Sequence, residues 1–313
     1  MHAGNRALRV PFQQPAVIRG DAAGPVPGAA RCAGNPVSRD DAGLAWRLPD
    51  DPSCAGKARS CVRQTLAGLR LPEELISDAE LAVSELAANA WQHALGGRPL
   101  PKSAGPCAAL PELWLYRRGT GAGTEVVCGV FDTRRDVWPQ PRRDPLRLLP
   151  DDGELAGPVI DGILADHPGN GHGLGIVQAV SHDTGCHRTR SRLNSLPVPG
   201  KVTWFTMKIP ASLPAAQPPS ADLTPVQAAR TLSALLAARG IPGISRPNGS
   251  GSQSVVSIAA GLTVRCRDGI FQWLADGWLA DGWLADGVRQ RAFFDLAGTV
   301  EDIIRLHEDL VSG

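Results

Sequence analysis

Residues 84–93 read SELAANAWQH and carry two polar side chains inside a run that is otherwise largely apolar. Apolar residues recur around them at helical spacing, which predicts a well-buried helix from about residue 71 to 95. Glu85 and Asn89 are four residues apart, so they project from the same face of that helix. Both side chains are costly to bury without partners, which favours a face turned toward a ligand.

The residue types at these two positions match the chemistry of a nucleotide and its metal. The side-chain oxygen of Asn89 is a good ligand for Mg²⁺, which keeps water and phosphate oxygens in its other positions. Glu85 lies one helical turn earlier, where a carboxylate is able to orient or deprotonate an attacking hydroxyl near a γ-phosphate.

Two further segments fit a nucleotide site. Residues 169–175 read GNGHGLG and open a predicted helix, so backbone amides and the positive end of the helix dipole favour an anion there. A Pro-rich loop precedes this segment instead of a strand, which argues against a Rossmann fingerprint. Asp132 ends a predicted apolar strand in the sequence VFDT, where its carboxylate is able to accept from an exocyclic amine such as that of adenine.

Four strings then occur in a fixed order along the chain: SELAANAWQH, VFDTRRDVWPQP, GHGLGIVQAV and GKVTWFTM. They resemble the N box, G1 box, G2 box and terminal strand of the GHKL (histidine-kinase-like) ATPase superfamily. More narrowly, the chain resembles the anti-sigma-factor serine/threonine kinase subgroup. The resemblance covers residues from about 44 to 209, and the N box and G2 box together are its most specific part.

The resemblance implies the roles of individual residues. Glu85 would be the catalytic base, Asn89 the Mg²⁺ ligand and Asp132 the carboxylate that reads adenine, so ATP and Mg²⁺ are the implied cofactors. The phosphate-binding end of the lid would be formed by four residues: Gly171, Gly173, Leu174 and Gly175. The implied fold is α+β, a Bergerat-type α/β sandwich in which a mixed, mainly antiparallel sheet carries helices on one face.

Composition shifts along the chain predict four segments. Residues 1–42 are rich in Gly, Pro and Ala without a period and are expected to be disordered, and residues 43–210 form the ATP-binding domain. Residues 211–222 read as a Pro/Ala linker, and residues 223–313 as a small α+β domain of unknown role. A tandem WLADG repeat at residues 273–287 is interpreted as an expansion in a hairpin loop, with its tryptophans either forming an exposed patch or serving no function.

The overall composition limits the partners. A net charge of +1 gives no electrostatic reason to expect nucleic acid or an anionic membrane surface. No apolar run reaches the roughly 20 residues of a membrane helix, and the N-terminus lacks the apolar core of a signal peptide, so we expect a cytoplasmic protein. The 7 cysteines show no Cys-x-x-Cys spacing, which argues against a zinc site or a disulfide framework.

Two functions from different classes follow. The first is an ATP-binding anti-sigma-type serine/threonine kinase that phosphorylates an anti-anti-sigma (STAS-type) protein and thereby controls a sigma factor, with a homodimer implied by the family. The alternative is a non-catalytic or degenerate GHKL module that regulates transcription by sequestration. Residues 133–136, TRRD, stand where the wider superfamily has glycines, which favours the alternative, whereas Glu85 favours the kinase.

Overall fold

The computed structural model describes ten stretches of the chain: residues 38–40, 43–100, 110–120, 123–136, 173–194, 196–210, 223–247, 251–259, 261–274 and 288–312. Residues Cys32–Gly313 form one compact unit. The segments expected to be disordered (residues 1–42, apart from a short strand at 38–40) and to form the linker (residues 211–222) lie outside the described residues, as do most of the lid and Gly171. The domain boundaries therefore stay predictions.

Five α-helices form within the described stretches. They are α1 (Cys54–Gly68), α2 (Glu73–Asn89), α3 (Gly173–Val180), α4 (Pro225–Ala238) and α5 (Leu296–Ser312). α2 starts directly after Pro72 and carries Glu73 and Glu74 in its first turn, which suits the positive end of its dipole. α4 begins with a capping box between Thr224 and Gln227. None of the helices described combines the length and apolar character needed to cross a membrane.

The first sheet has six strands in the order β1-β2-β3-β4-β6-β5. The strands are β1 (Ser38–Asp40), β2 (Gly43–Arg47), β3 (Glu112–Thr120), β4 (Gly123–Asp132), β5 (Asp183–Arg190) and β6 (Pro199–Lys208). Every described pairing is antiparallel, which agrees with the mainly antiparallel sheet that we expected. β5 and β6 form a hairpin whose second strand pairs with β4.

One face of this sheet carries α1, α2 and α3, as the α/β sandwich predicts. The apolar positions of α1 and α2 pack on the inward side chains of β3, β4 and β6 to form the main core. Phe205 on β6, Leu66 on α1 and Val83 on α2 are all fully buried there. The α+β sandwich fold with helices over an antiparallel sheet is thus confirmed.

The second sheet belongs to the C-terminal part of the chain and has the order β11-β10-β9-β8-β7. Its strands are β7 (Ile244–Pro247), β8 (Gln253–Ala259), β9 (Leu262–Arg267), β10 (Ile270–Leu274) and β11 (Val288–Ala292). Together with α4 and α5 it encloses a second apolar core. β1 and β7 are short strands that the sequence analysis did not predict.

The WLADG repeat starts inside this sheet. Trp273 lies in β10 and is buried in the second core, so it does not belong to an exposed tryptophan patch. Leu274 pairs with Val288, which means that residues 275–287 connect the two strands of a hairpin, as the sequence analysis predicted. Those connecting residues, with the other two tryptophans, lie outside the described part of the chain.

The opposite face of the first sheet, here called the outer face, is covered by the C-terminal part. Trp114 and Phe131 stack there at a centroid distance of 5.5 Å. The guanidinium groups of Arg192 and Arg239 lie 4.6 and 4.8 Å from the Trp114 ring. The outer face therefore combines a small apolar cluster with charged groups held above an aromatic ring.

α5 supplies two buried carboxylates to this face. Glu301 accepts hydrogen bonds from Arg239 at 2.8 Å and from Arg192 at 3.0 Å. About two turns further along the same helix, Glu308 accepts from Arg190 at 2.6 Å and from Arg135 at 2.7 Å. The C-terminal part thus docks on the first sheet largely through paired charges.

Candidate functional site

α2 places Glu85 and Asn89 at the boundary of the main core. Leu86 and Ala87, which lie between them in the sequence, are fully buried, whereas the Glu85 and Asn89 side chains are half-buried. Their predicted position on the edge of a buried helix therefore agrees with the structure. The preceding residue, Ser84, is buried and accepts a hydrogen bond from Arg59 of α1 at 3.0 Å, which ties the two helices together beside Glu85.

The first residue of α3 packs directly on Glu85. A Cβ atom added at Gly173 would lie 2.5 Å from Glu85 Oε2 and 3.4 Å from Glu85 Cβ. A side chain at this position would have to displace the Glu85 carboxylate, so glycine permits the observed approach. The structure thereby brings together the N-box carboxylate and the start of the G2 helix, which are distant in sequence.

Helix α2 changes character immediately after Asn89. Residues Ala90–Ala94 form one π-helical turn, and the backbone N–H of Gly97 donates to the carbonyl of Trp91 at 3.1 Å. Single π turns within helices are often found at functional sites. Both α2 and this turn pack on β4, the strand that ends at Asp132, so the three predicted N-box and G1-box residues lie on adjoining elements.

Asp132 is buried and engaged by a lysine. Lys201 Nζ donates to its two carboxylate oxygens, Oδ1 and Oδ2, at 2.6 and 2.7 Å, and the backbone N–H of Arg134 donates to Oδ1 at 2.8 Å. The side chains of Asp132 and Lys201 are only 8% and 6% exposed. Burial raises the pKa of Asp132, although Lys201 and Arg134 act in the opposite direction.

Lys201 is the residue that sequence reasoning missed at this position. The string GKVTWFTM was recognised only as a terminal strand, and the lysine within it was given no role. The signal lies in the register: Asp132 and Lys201 are direct cross-strand partners of β4 and β6, and both point to the helix-bearing face. Strand pairing that spans a long insertion is not readable from local pattern, so the pair is visible only in the fold.

A cavity of about 170 Å³ lies between α3 and the β5–β6 hairpin. Leu174, Val177, Cys186 and Thr203 contribute to its walls. Burial raises the pKa of the Cys186 thiol to about 11, although the hydrogen bond with Thr203 acts in the opposite direction. The cavity therefore lies on the side of the sheet that α3 covers.

The remaining lid residues divide into three cases. Leu174 is half-buried and packs against the main core, which makes it a structural contact of α3. Gly175 is exposed, and a Cβ atom there would meet nothing within 4 Å, so its packing does not require glycine. Gly171 lies outside the described residues. Their phosphate-binding role stays a prediction.

The oxygen donors fit the proposed nucleotide and metal. Within the described stretches no group of three or more His, Cys, Asp or Glu side chains has the arrangement of a metal site. Mg²⁺ needs no such cage, because it commonly binds through one or two protein oxygens together with phosphate oxygens and water. Asn89 carries such an oxygen. The close approach of Gly173 to Glu85 places the Glu85 carboxylate at the N-terminal end of α3.

Comparison with protein families supports a nucleotide-binding domain. Residues 48–198 match the model of a family described as a histidine kinase-like ATPase domain. The match supports a GHKL-type domain over that range, ATP binding with a regulatory function, and an ATP-dependent phosphotransfer or hydrolysis activity in general. A comparison with curated proteins finds no match to the chain.

Proposed function

Starting from the match of residues 48–198 to a histidine kinase-like ATPase domain, we propose that the chain is a protein serine/threonine kinase of the anti-sigma type. Its substrate would be a serine or threonine of an anti-anti-sigma partner of the STAS type, and the phosphorylation state of that partner would decide whether a sigma factor is captured. The observation that carries the proposal is the contact between Glu85 and Gly173, because it joins a carboxylate to the predicted phosphate-binding helix.

Each predicted site residue has a defined task in this proposal. Bound Mg-ATP supplies the phosphoryl group and the metal that neutralises its developing charge. Asn89 would hold the metal, and Asp132 would accept from the amino group of the base. Glu85 would orient the partner's hydroxyl and take its proton, a role that its half-buried position on α2 permits.

The first test is binding of a labelled ATP analogue with and without Mg²⁺. We expect wild type to bind in a Mg²⁺-dependent manner and Asn89→Ala to lose the Mg²⁺ dependence. Gln92→Ala is the matched control, because Gln92 lies on the following turn and is exposed. Failure of wild type to bind at millimolar nucleotide would contradict the proposal.

The second test separates phosphate transfer from binding. Glu85→Gln keeps the shape of the side chain but removes the base, so transfer to a STAS-type partner should fall by about 100-fold or more while ATP affinity changes little. Glu74→Gln on the same helix is the control, because Glu74 is exposed in the first turn of α2. Equal transfer by wild type and Glu85→Gln would remove Glu85 from the mechanism.

One observation favours the non-catalytic alternative. Both oxygens of Asp132 already accept hydrogen bonds from Lys201, which reduces the capacity of this carboxylate to read a base. In that alternative the domain would act by holding a partner protein, with or without nucleotide. Partner binding that is unchanged in Glu85→Gln and Asn89→Ala, together with no phosphate transfer by wild type, would select it.

A further inference from the structure

The buried pair of Asp132 and Lys201 presents an acceptor beside a donor. Lys201 Nζ carries three N–H groups, and the two described bonds to Asp132 leave one of them available. Oδ1 accepts from Lys201 and from the backbone of Arg134, whereas Oδ2 accepts only from Lys201 among the described hydrogen bonds. A carboxylate oxygen accepts about two hydrogen bonds, so Oδ2 keeps one acceptor position.

This combination changes which base the carboxylate is able to recognise. A carboxylate by itself accepts from the 6-amino group of adenine. It repels the 6-oxo group of guanine or hypoxanthine, because the carboxylate and the 6-oxo oxygen are both hydrogen-bond acceptors. A neighbouring ammonium supplies the missing donor. In adenine, N6–H donates to Asp132 Oδ2 and N1 accepts from Lys201 Nζ. In a 6-oxopurine, N1–H donates to Oδ2 and O6 accepts from Nζ.

A described cavity lies further along β6, on the face of the sheet that carries the pair. Thr203 lies two residues after Lys201 on the same face of β6, and Cys186 is its cross-strand partner on β5. Both line the cavity of about 170 Å³ beneath α3. Thr203 donates to the Cys186 sulfur at 3.5 Å, and none of the described hydrogen bonds joins its hydroxyl to the ion pair.

We propose that Lys201 is a specificity-determining residue that makes the base site accept 6-oxopurine nucleotides as well as ATP. This inference rests on the proposed function, because it takes Asp132 as the base-reading carboxylate. GTP and ITP then bind within about tenfold of ATP, since each edge finds one donor and one acceptor. A matched pair of hydrogen bonds to a base edge is worth about 1–3 kcal/mol of discrimination, which corresponds to about 5- to 150-fold in affinity.

The test measures dissociation constants for ATP, GTP and ITP in the presence of Mg²⁺, on the full chain and without any partner protein. Wild type should bind all three within about tenfold. Lys201→Met removes the donor and keeps an unbranched side chain, so it should weaken GTP and ITP by about 100-fold relative to ATP. Lys208→Met is the matched control, because Lys208 ends the same strand and is exposed.

Lys201→Met leaves Asp132 without its counter-ion, so its fold is checked by circular dichroism and thermal unfolding. Should this variant not fold, the wild-type series alone decides, because rejection of both GTP and ITP by more than about 100-fold contradicts the inference. Equal loss of all three nucleotides in a folded Lys201→Met also contradicts it. Wild type that binds ATP but rejects the 6-oxopurines overturns this inference only, whereas wild type that binds no nucleotide overturns the proposed function as well.

Discussion

The two faces of the first sheet are held by different forces. The helix-bearing face packs apolar side chains of α1 and α2 against β3, β4 and β6, and the ion pair of Asp132 and Lys201 sits at its margin. On the outer face, the buried Arg239 and the half-buried Arg190 meet the buried carboxylates of α5. The first face gains free energy from removing apolar surface from water, whereas the second depends on each charge keeping its partner.

The largest expected effect comes from breaking a charge cluster on the outer face. Glu301→Ala leaves Arg239 and Arg192 buried without their carboxylate, so the free energy of unfolding should fall by about 3–5 kcal/mol. Chemical denaturation measures the change. Arg305→Ala on the exposed side of α5 is the control and should leave stability nearly unchanged. A loss below about 1 kcal/mol for Glu301→Ala would mean that the outer face is not held by charge.

A comparable test on the helix-bearing face removes volume instead of charge. Leu66 on α1 is fully buried, and Leu66→Ala should lower the free energy of unfolding by about 2–5 kcal/mol through lost burial and a residual cavity. The loss should be the same at pH 4 and pH 7, because no titrating group is involved. Gln64→Ala, exposed on the same helix, is the control.

The contributions of the two faces to stability should also differ in their dependence on pH. Burial alone would raise the pKa of Glu301, but Arg239, Arg192 and His187 together hold it well below its usual range. A carboxylate with a depressed pKa contributes stability above its unfolded pKa of about 4.3, and that contribution is lost as the pH falls through the folded pKa. The stability gap between wild type and Glu301→Gln should therefore be full at pH 7 and shrink below about pH 4. A gap that does not depend on pH would contradict this account.

Gly173→Ala tests the contact between α2 and α3 at a smaller energetic scale. The added Cβ meets Glu85 Oε2, the end of a flexible side chain, so the stability change should stay within about 1 kcal/mol. Displacement of the carboxylate should nevertheless reduce phosphate transfer by about tenfold to 100-fold. Gly68→Ala, where a Cβ meets nothing within 4 Å, is the control. Unchanged transfer in Gly173→Ala would remove this contact from the proposed mechanism.

The smallest effect is expected outside both faces. Arg63 on α1 bonds Glu80 and Glu73 of α2 at 2.6–2.7 Å, yet it lies in solvent. Arg63→Ala should produce no resolvable change in the denaturation midpoint, because exposed ion pairs are screened and entropically costly. A clear loss of stability would show that the α1–α2 contact depends on surface charge.

The difference between the apolar helix-bearing face and the charged outer face also decides how much of each is predictable from the sequence. The helix-bearing face follows from local pattern: the apolar spacing of α2 and the run ending at Asp132 are visible in the sequence, and so are Glu85 and Asn89. Periodicity works there because burial acts on each side chain separately. The helix predicted over about residues 71–95 forms as α2 with the turn after it, and the strand predicted to end at Asp132 forms as β4.

The outer face was not predicted, for a physical reason. Glu301 and Glu308 sit on a helix where charged residues normally indicate a solvated surface, and their arginine partners lie far away in the sequence. The role of Lys201 is not predictable from local sequence either, since it depends on the cross-strand register with Asp132. Partnership between distant charges is a property of the assembled fold and leaves no local trace.

The position of α5 in the chain has a consequence for biosynthesis. Every described strand of both sheets precedes α5, so the ribosome completes these strands of the first sheet before the helix that covers its outer face has emerged. Until then Trp114, Arg192 and Arg239 are present without Glu301. The nascent chain therefore passes through a stage in which an aromatic and cationic surface is open to water and to other chains. Aggregation during slow translation should begin at this surface.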